Sequence, residues 1–285
     1  MKKFVLGSLL CFSVLFLSAQ QSSGGLHKFK TYDGKDYLVF GIGPNYLFGD
    51  AGGSNMNLKL MFNDWDILYT RPSIMWGYKH EYNEFIANKL VFMYSLFSGN
   101  DDDSRHNRQF QFYANAIEAS FQTEIYFYKG RYKRQDFDLY GYFGIAGLYY
   151  QTNWKFVNPV TGKLVTDAKG NPTPGRGIGT DSPTDFVPVG YTFNDQKQMF
   201  EYSAPTLALP FGLGARFPLN NKVYIGGEFG WRYPIGKNAD FIDGFYTKWS
   251  RMNDAYCNFN FVITYKVAGG DNCYSKYGRT QIGRR

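Results

Sequence analysis

The feature that most constrains the fold is a long two-residue alternation in FQFYANAIEASFQTEIYFYKG, residues 110–130. From Ile117 onward every second residue is apolar or small, and the residues between them are polar or ionisable, among them Glu118 and Glu124. This period places the two sets on opposite faces of a β-strand. Strands in soluble proteins average about 5–6 residues, and a soluble sheet would need a second layer over so long an apolar face. A bilayer can cover that face instead, because about 9–11 tilted residues span its hydrocarbon.

Seven further segments of the chain show the same alternation, which makes eight predicted strands. The apolar faces of these seven begin at Leu38, Leu68, Leu90, Phe137, Leu207, Val223 and Cys257. Eight is the smallest usual strand number for a bacterial outer-membrane barrel. One fifth of the residues are aromatic and no continuous hydrophobic segment occurs after the N-terminus. This composition is typical of a barrel, whose apolar residues alternate, rather than of a helical membrane protein.

The predicted connections alternate in length, as outer-membrane barrels require. Short turns are predicted at 81–84, 129–135 and 219–221, and longer loops at 49–67, 99–109, 152–202 and 234–253. Short turns of such barrels are periplasmic and long loops external. The sequence therefore predicts an all-β fold: an eight-stranded antiparallel transmembrane β-barrel over residues 36–268, with a closed, filled lumen, long external loops such as 152–202, and short periplasmic turns.

Both ends of the chain are predicted to lie outside the barrel. The start, MKKFVLGSLLCFSVLFLSAQ, joins two lysines to an apolar run and small residues, which predicts a signal peptide over residues 1–19. Residues 20–35 and 269–285 are then an N-terminal periplasmic segment and a basic periplasmic tail. We accordingly expect the protein in the outer membrane, with periplasm-facing termini.

The basic charge of the chain is concentrated in its tail. The net charge of +7 falls to +5 without Lys2 and Lys3, and residues 266–285 carry +4 of it. Nucleic acid is not an expected partner of an exported chain. Arg279, Arg284 and Arg285 instead favour contact with an acidic protein surface or anionic head groups. A merely solvated tail is the alternative.

The predicted inward faces carry charges of both signs. In an eight-stranded barrel the side chains just fill the interior, so such charges are expected to pair rather than to line a channel. This argues against a pore. The predicted interior ion-pair residues are Arg71, Glu118, Glu124, Asp138, Arg216, Glu228 and Arg232, with Lys79, Lys89 and Asp136 also facing inward.

The sequence offers few candidates for catalysis or metal binding. His27, His80 and His106 are widely spaced and form no metal-ligand motif. Asp101–Asp103 lack the ligand spacing of a known calcium loop, so a solvated loop tip is favoured. Glu118 and Glu124, six residues apart on one strand, would lie about 20 Å from each other, too far for an acid/base pair. We therefore predict no enzymatic activity, no cofactor and no metal.

Two cysteines remain after the signal peptide, and strand geometry separates them. Cys257 is predicted to face lipid near the outer end of the last strand, and Cys273 follows the inner end of that strand. A separation of about 30 Å excludes a disulfide between them. In an oxidising compartment Cys273 is therefore a candidate for an intermolecular disulfide, or else an unused thiol.

Three stretches of the first half resemble a known family. They are GIGPNYLFGDAGG, RPSIMWGYKHEYNEFIANKLVFMYSLFSGNDDDS, and the spaced residues Arg108, Phe110, Glu118, Ser120 and Glu124. Together they resemble the PorG-like outer-membrane barrels of the type IX secretion system of Bacteroidota, over about residues 36–130. The resemblance implies a non-enzymatic component that connects the outer membrane to a periplasmic ring of PorK-like lipoprotein and PorN-like proteins.

Three functions are compatible with these patterns. The favoured one is a non-enzymatic component of a type IX protein secretion machine that anchors or organises a periplasmic ring assembly. The alternative is a small barrel enzyme or surface-binding protein that acts through its long external loops, where His106 and its acidic neighbours are the only catalytic candidates. A passive pore is disfavoured by the small strand number.

Overall fold

Eight long strands dominate the computed structural model. They are β1 (Lys35–Phe48), β2 (Arg71–Glu81), β3 (Ile86–Asn100), β4 (Phe110–Tyr132), β5 (Gln135–Phe156), β8 (Met199–Pro218), β9 (Val223–Ile235) and β11 (Ala255–Ala268), with three short strands, β6 (Asp185–Phe186), β7 (Thr192–Asn194) and β10 (Tyr246–Thr247), between them. The structure describes residues 34–49, 70–100, 110–132, 135–157, 163–164, 166, 169–171, 185–186, 189–244, 246–247 and 253–268. The predicted signal peptide and basic tail lie outside these residues, as does nearly all of the segment 20–35.

The eight long strands form a ring of antiparallel pairs. Each strand pairs with its neighbour in the order β1, β2, β3, β4, β5, β8, β9 and β11, and β11 pairs with β1. β7 adds to the edge of β8 near its start, and β6 pairs with β10 in a separate two-stranded sheet. The predicted antiparallel barrel is therefore confirmed. Among the described residues, no helix is both long and apolar enough to cross a membrane.

The alternation of β4 has the predicted orientation. Phe121 is 50 % exposed on the outside, whereas Glu118 and Glu124 are each 1 % exposed on the inside. The polar face is therefore the buried one, the reverse of a soluble protein. Such an arrangement is stable only where an apolar medium covers the outer face.

The start of β1, the end of β11 and the short connections lie at the same end of the barrel, which we call the short-turn end. Lys35 at the start of β1 pairs with Glu81 at the end of β2, and Asp36 pairs with Ala268 at the end of β11. The connections after β2, β4 and β8 are four, two and four residues long. The predicted alternation of short and long connections is confirmed.

The predicted external loop 152–202 is too long, because its two ends belong to strands. β5 and β8 remain paired through Thr152↔Tyr202 and Trp154↔Phe200. Here the alternation continues with its chemistry changed: the inward residues include the buried aromatics Trp154, Phe156 and Phe200, whereas the outward residues are mostly polar. The outer face is no longer apolar there, so its pattern does not predict the last residues of β5 or the first residues of β8.

Glycines of β8 make room for tyrosine rings inside the barrel. A Cβ at Gly212 would lie 2.7 Å from Cζ of Tyr142, and a Cβ at Gly214 would lie 2.4 Å from Cζ of Tyr140. Real Cβ atoms do not approach other atoms so closely, so these positions need glycine. Both rings extend from β5 across the inner face of β8.

Candidate functional site

The lumen near the short-turn end holds a group of ionised side chains, which we call the lumen cluster. Its members are Lys79, Glu81, Lys89, Glu124, Lys129, Asp138, Arg216 and Glu228. It contains equal numbers of cationic and anionic groups. All are nearly inaccessible to solvent except Lys129, whose side chain is 14 % exposed.

Lys89 lies at the centre of the lumen cluster, between two carboxylates. Its Nζ is 3.1 Å from Glu124 Oε1 and 2.8 Å from Glu228 Oε1. A buried ammonium without these carboxylates would be strongly destabilising, so the two pairs stabilise Lys89 at this position. Tyr140 also donates a hydrogen bond of 2.7 Å to Glu228.

Arg216 forms the second centre of the cluster. Its Nε donates to Asp138 Oδ2 at 2.7 Å, and its Nη2 donates to Glu81 Oε1. The guanidinium also lies over the rings of Tyr126 and Tyr224, 5.1 Å and 5.0 Å from their centroids. Cation–π contacts of this kind add stabilisation where the cation is desolvated.

A further charged group lies nearer the opposite end of the lumen. Arg232 Nε is 3.3 Å from Glu118 Oε2, and Tyr256 donates a hydrogen bond of 2.7 Å to the same oxygen. Arg232 also donates to Asn258 Oδ1. Glu118 and Glu124 thus belong to two separate groups: Glu118 pairs with Arg232, and Glu124 with Lys79 and Lys89.

Three of these contacts cross the full diameter of the ring, and we call them the cross-lumen contacts. Lys89–Glu228 joins β3 to β9, Arg216–Glu81 joins β8 to β2, and Tyr256–Glu118 joins β11 to β4. In each case the two strands are four positions apart in a ring of eight. Side chains that meet across the diameter fill the lumen.

Of the other predicted site residues, Arg71 forms a hydrogen bond, and the rest lie outside the described part of the chain. Arg71 Nε donates to Ser98 Oγ at 2.7 Å, and the ion pairs formed by the described residues do not include it. Cys273, Arg279, Arg284, Arg285 and Asp101–Asp103 lie outside the described residues, as does the side chain of Asp136. In the part of the chain that is described, no group of three His, Cys, Asp or Glu side chains could hold a metal ion.

Cys257 has the predicted position, and its side chain is covered there. It lies on the outer side of β11 near the long-loop end, yet it is buried. Its neighbours in register are Tyr46 and Trp231, and the rings of Phe48 and Trp231 approach to 4.9 Å across β11. The predicted lipid-side position is therefore correct, although aromatic side chains cover the thiol.

Sequence analysis missed two members of the lumen cluster, Glu81 and Lys129, because both fall in segments predicted as turns. Glu81 shares the parity of Lys79, so a strand extended by one residue includes it. Lys129 has the parity of the outer face, but the register of β4 shifts between Tyr126 and Tyr128. This β-bulge turns Lys129 inward, where its Nζ is 3.1 Å from Glu81. No pattern in the sequence marks the bulge.

The outer surface carries a continuous apolar belt. Every strand of the ring contributes at least one large apolar side chain to it: Phe40, Trp76, Phe92, Phe121, Ile145, Phe211, Phe229 and Phe261. All are exposed except Phe229, which is half-buried. On a soluble protein so large an exposed apolar surface would aggregate. Its extent all round the ring fits the hydrocarbon of a bilayer.

An aromatic core lies inside the barrel wall at the long-loop end. Trp154, Phe200 and Tyr191 pack together, with ring centroids 5.7–6.0 Å apart. Tyr150 donates a hydrogen bond of 2.7 Å to the carbonyl of Asn238, which joins the wall to the segment after β9. Phe110 of β4 packs on Phe156 of β5 with ring centroids 5.2 Å apart, so the extended wall of β4, β5 and β8 is packed with side chains.

Comparison with known proteins finds similarity only at the level of the fold. No protein-family profile and no curated protein sequence matches the chain. Among solved structures, a major outer membrane protein from Thermus thermophilus is 10 % identical with a TM-score of 0.44, over 82 % of this chain and 99 % of that one. Ail of Yersinia pestis, solved with sucrose octasulfate, is 9 % identical with a TM-score of 0.40, over 82 % and 99 %. OprG of Pseudomonas aeruginosa is 10 % identical with a TM-score of 0.38, over 83 % and 97 %.

Proposed function

We propose that this protein is a non-enzymatic outer-membrane barrel that anchors a periplasmic assembly of a type IX protein secretion machine. The cross-lumen contacts carry this proposal, because they fill the interior with paired charges and leave the ends of the barrel as the surfaces for function. The resemblance of residues 36–130 to PorG-like barrels supports the specific machine. In this proposal the short-turn end and both termini face the periplasm, where PorK-like lipoprotein and PorN-like ring proteins would bind.

The lumen cluster gives little support to catalysis. A general base needs a carboxylate or amine that a substrate can reach. Glu81, Glu124 and Glu228 are buried, and each already contacts a lysine or an arginine. These side chains are therefore better suited to structure than to reaction.

Co-purification from envelopes tests the proposed role most directly. The mature protein should recover a lipoprotein and periplasmic ring proteins, and deletion of its gene should leave secretion cargo inside the cells. Outer-membrane permeability should change little in the deletion strain. Normal cargo release from that strain would refute the secretion role while leaving the barrel itself intact.

The tail is the proposed docking segment. Exposed ion pairs contribute about 0–1 kcal/mol each and are weakened by salt, so Arg279, Arg284 and Arg285 alone would give a salt-labile contact. A disulfide from Cys273 would make it permanent. Non-reducing gels should then show a heavier species that Cys273→Ser removes and Cys257→Ser retains. An unchanged gel pattern in Cys273→Ser would exclude the covalent contact.

The aromatic core at the long-loop end favours a second candidate, a surface-binding protein. It holds the wall of β4, β5 and β8 together beyond the apolar belt, so external loops would be presented on an ordered support. In this case, replacement of residues 163–190 by a short linker would abolish binding to the surface ligand and leave secretion unaffected. Loss of secretion in that variant would instead favour the first proposal.

A further inference from the structure

The apolar belt contains a groove on the outer face of β4, β5, β8 and β9. Its volume is about 440 Å³, within the range of about 300–1,000 Å³ typical of ligand pockets. Phe127 and Ile125 line it from β4, Phe143 from β5, and Leu213 and Trp231 from β8 and β9. The groove lies within the belt and opens toward the membrane.

The groove exists because of one glycine and one bulge. Gly141 is on the outer face of β5, between Ile125 and Leu213 in register, and leaves the backbone bare at that point. The bulge of β4 adds Phe127, whose ring leans over the bare strand. A Cβ at Gly141 would lie only 2.9 Å from Cζ of Phe127, so the Phe127 ring can lie over β5 only because residue 141 has no side chain.

The lining excludes most classes of ligand. It contains no charged side chain, and its one phenol, Tyr142, belongs to a buried residue of the inner face. A peptide strand could not add by hydrogen bonding either, because each of the four strands is already paired on both sides. A head group would find no polar partner in the groove.

We propose that this groove binds one hydrocarbon chain of a membrane lipid. The groove is continuous with the lipid-facing belt, so an acyl chain is the molecule that meets it. Because lipid tails are as apolar as the walls, transfer from bulk lipid supplies no hydrophobic gain. The gain comes from van der Waals contact, since a groove touches a chain at more points than a convex surface does. This inference requires only that the barrel spans a bilayer, and it is independent of the secretion role.

Photo-crosslinking in vesicles tests the proposal. The full mature protein is reconstituted with a phospholipid that carries a diazirine in the middle of one acyl chain, and adducts are mapped by mass spectrometry. We expect several-fold more adduct on Phe127, Phe143 and Trp231 than on Phe40 and Trp76, which are in the same belt on the opposite side of the ring. Equal labelling around the belt would overturn the proposal.

Two pairs of variants sharpen the test. Phe127→Ala removes a wall of the groove and should abolish the excess labelling, whereas Phe121→Ala, an exposed phenylalanine on the same face of β4, should retain it. Gly141→Val places a side chain against the Phe127 ring, so it should displace that wall and remove the excess labelling, whereas Gly147→Val extends into open space on the same face of β5 and should retain it. Folding of each variant is checked by its heat-modifiable migration on gels. If the reconstituted protein is dimeric and its groove residues carry less lipid adduct than Phe40 and Trp76, the occupant is another barrel and the lipid proposal is wrong.

Discussion

Individual charges inside this barrel are stabilised by several partners each. Lys79, for example, is 3.4 Å from Glu124 and 3.8 Å from Glu81, and its Nζ is 3.2 Å from the hydroxyl of Tyr126. Removal of one partner from such a group leaves the opposite charge buried in a medium of low dielectric constant. The lumen cluster is therefore expected to respond strongly to single substitutions.

Arg216→Met provides the residue-scale prediction. It leaves Glu81 and Asp138 without the guanidinium that both contact, so we expect a loss of about 3–5 kcal/mol in the free energy of unfolding. Lys197→Met is the control, because the exposed Lys197–Glu201 pair contributes about 0–1 kcal/mol. Both free energies can be measured by urea titration in vesicles. Similar values for the two variants would contradict a structural role for the lumen cluster.

At the scale of the strand, β4 combines a lipid-facing side with a charged side, and position along it sets the cost of a substitution. Phe121 is near the middle of the apolar residues of β4, whereas Tyr113 is on the same face near the long-loop end; both are 50 % exposed. An arginine at the bilayer midplane costs about 2–4 kcal/mol, and near the interface only about 0–1 kcal/mol.

Phe121→Arg should therefore impair assembly far more than Tyr113→Arg. Folded and unfolded fractions in vesicles of defined thickness give the comparison. The two sites differ in depth and share strand, face and exposure, so the difference isolates the position of the membrane. If both variants assembled equally well, Phe121 would not lie deeper in the bilayer than Tyr113, and the membrane position inferred from the apolar belt would be wrong.

Strand β8 contains a proline within its paired part, a position at which proline is disfavoured because it cannot donate a ladder hydrogen bond. Pro210 lacks an amide N–H, and its ladder with β5 has pairs at Phe143↔Phe211 and Ala146↔Ala208 but none between them. On its other side Pro210 still lies opposite Arg232 of β9. The interruption is local, because the pairs on either side keep the register.

For the molecule as a whole, sequence periodicity predicted the strands, their facing and the order of short and long connections. A period of two directly determines which face a residue occupies, so Glu118 and Arg232 could be placed inside. The partners could not be predicted, because the contacts cross the ring: Lys89 and Glu228 are separated by 139 residues. Likewise, Trp154 was missed because its surroundings belong to the core at the long-loop end, where the outer face is no longer apolar.

The filled lumen leads to a prediction about conduction. Cross-lumen contacts join β2 to β8, β3 to β9 and β4 to β11, so a hydrated ion would have to displace several paired charges to pass. We expect planar bilayers containing the purified protein to show no stable conductance steps above the lipid baseline, with a porin as positive control. The expectation depends on the pairs themselves, so the double variant Lys89→Ala, Glu228→Ala, which removes the β3–β9 contact without leaving either charge behind, should conduct more than the parent. Stable openings of the parent protein would show that the lumen rearranges in the bilayer, and would favour the pore that the paired charges argue against.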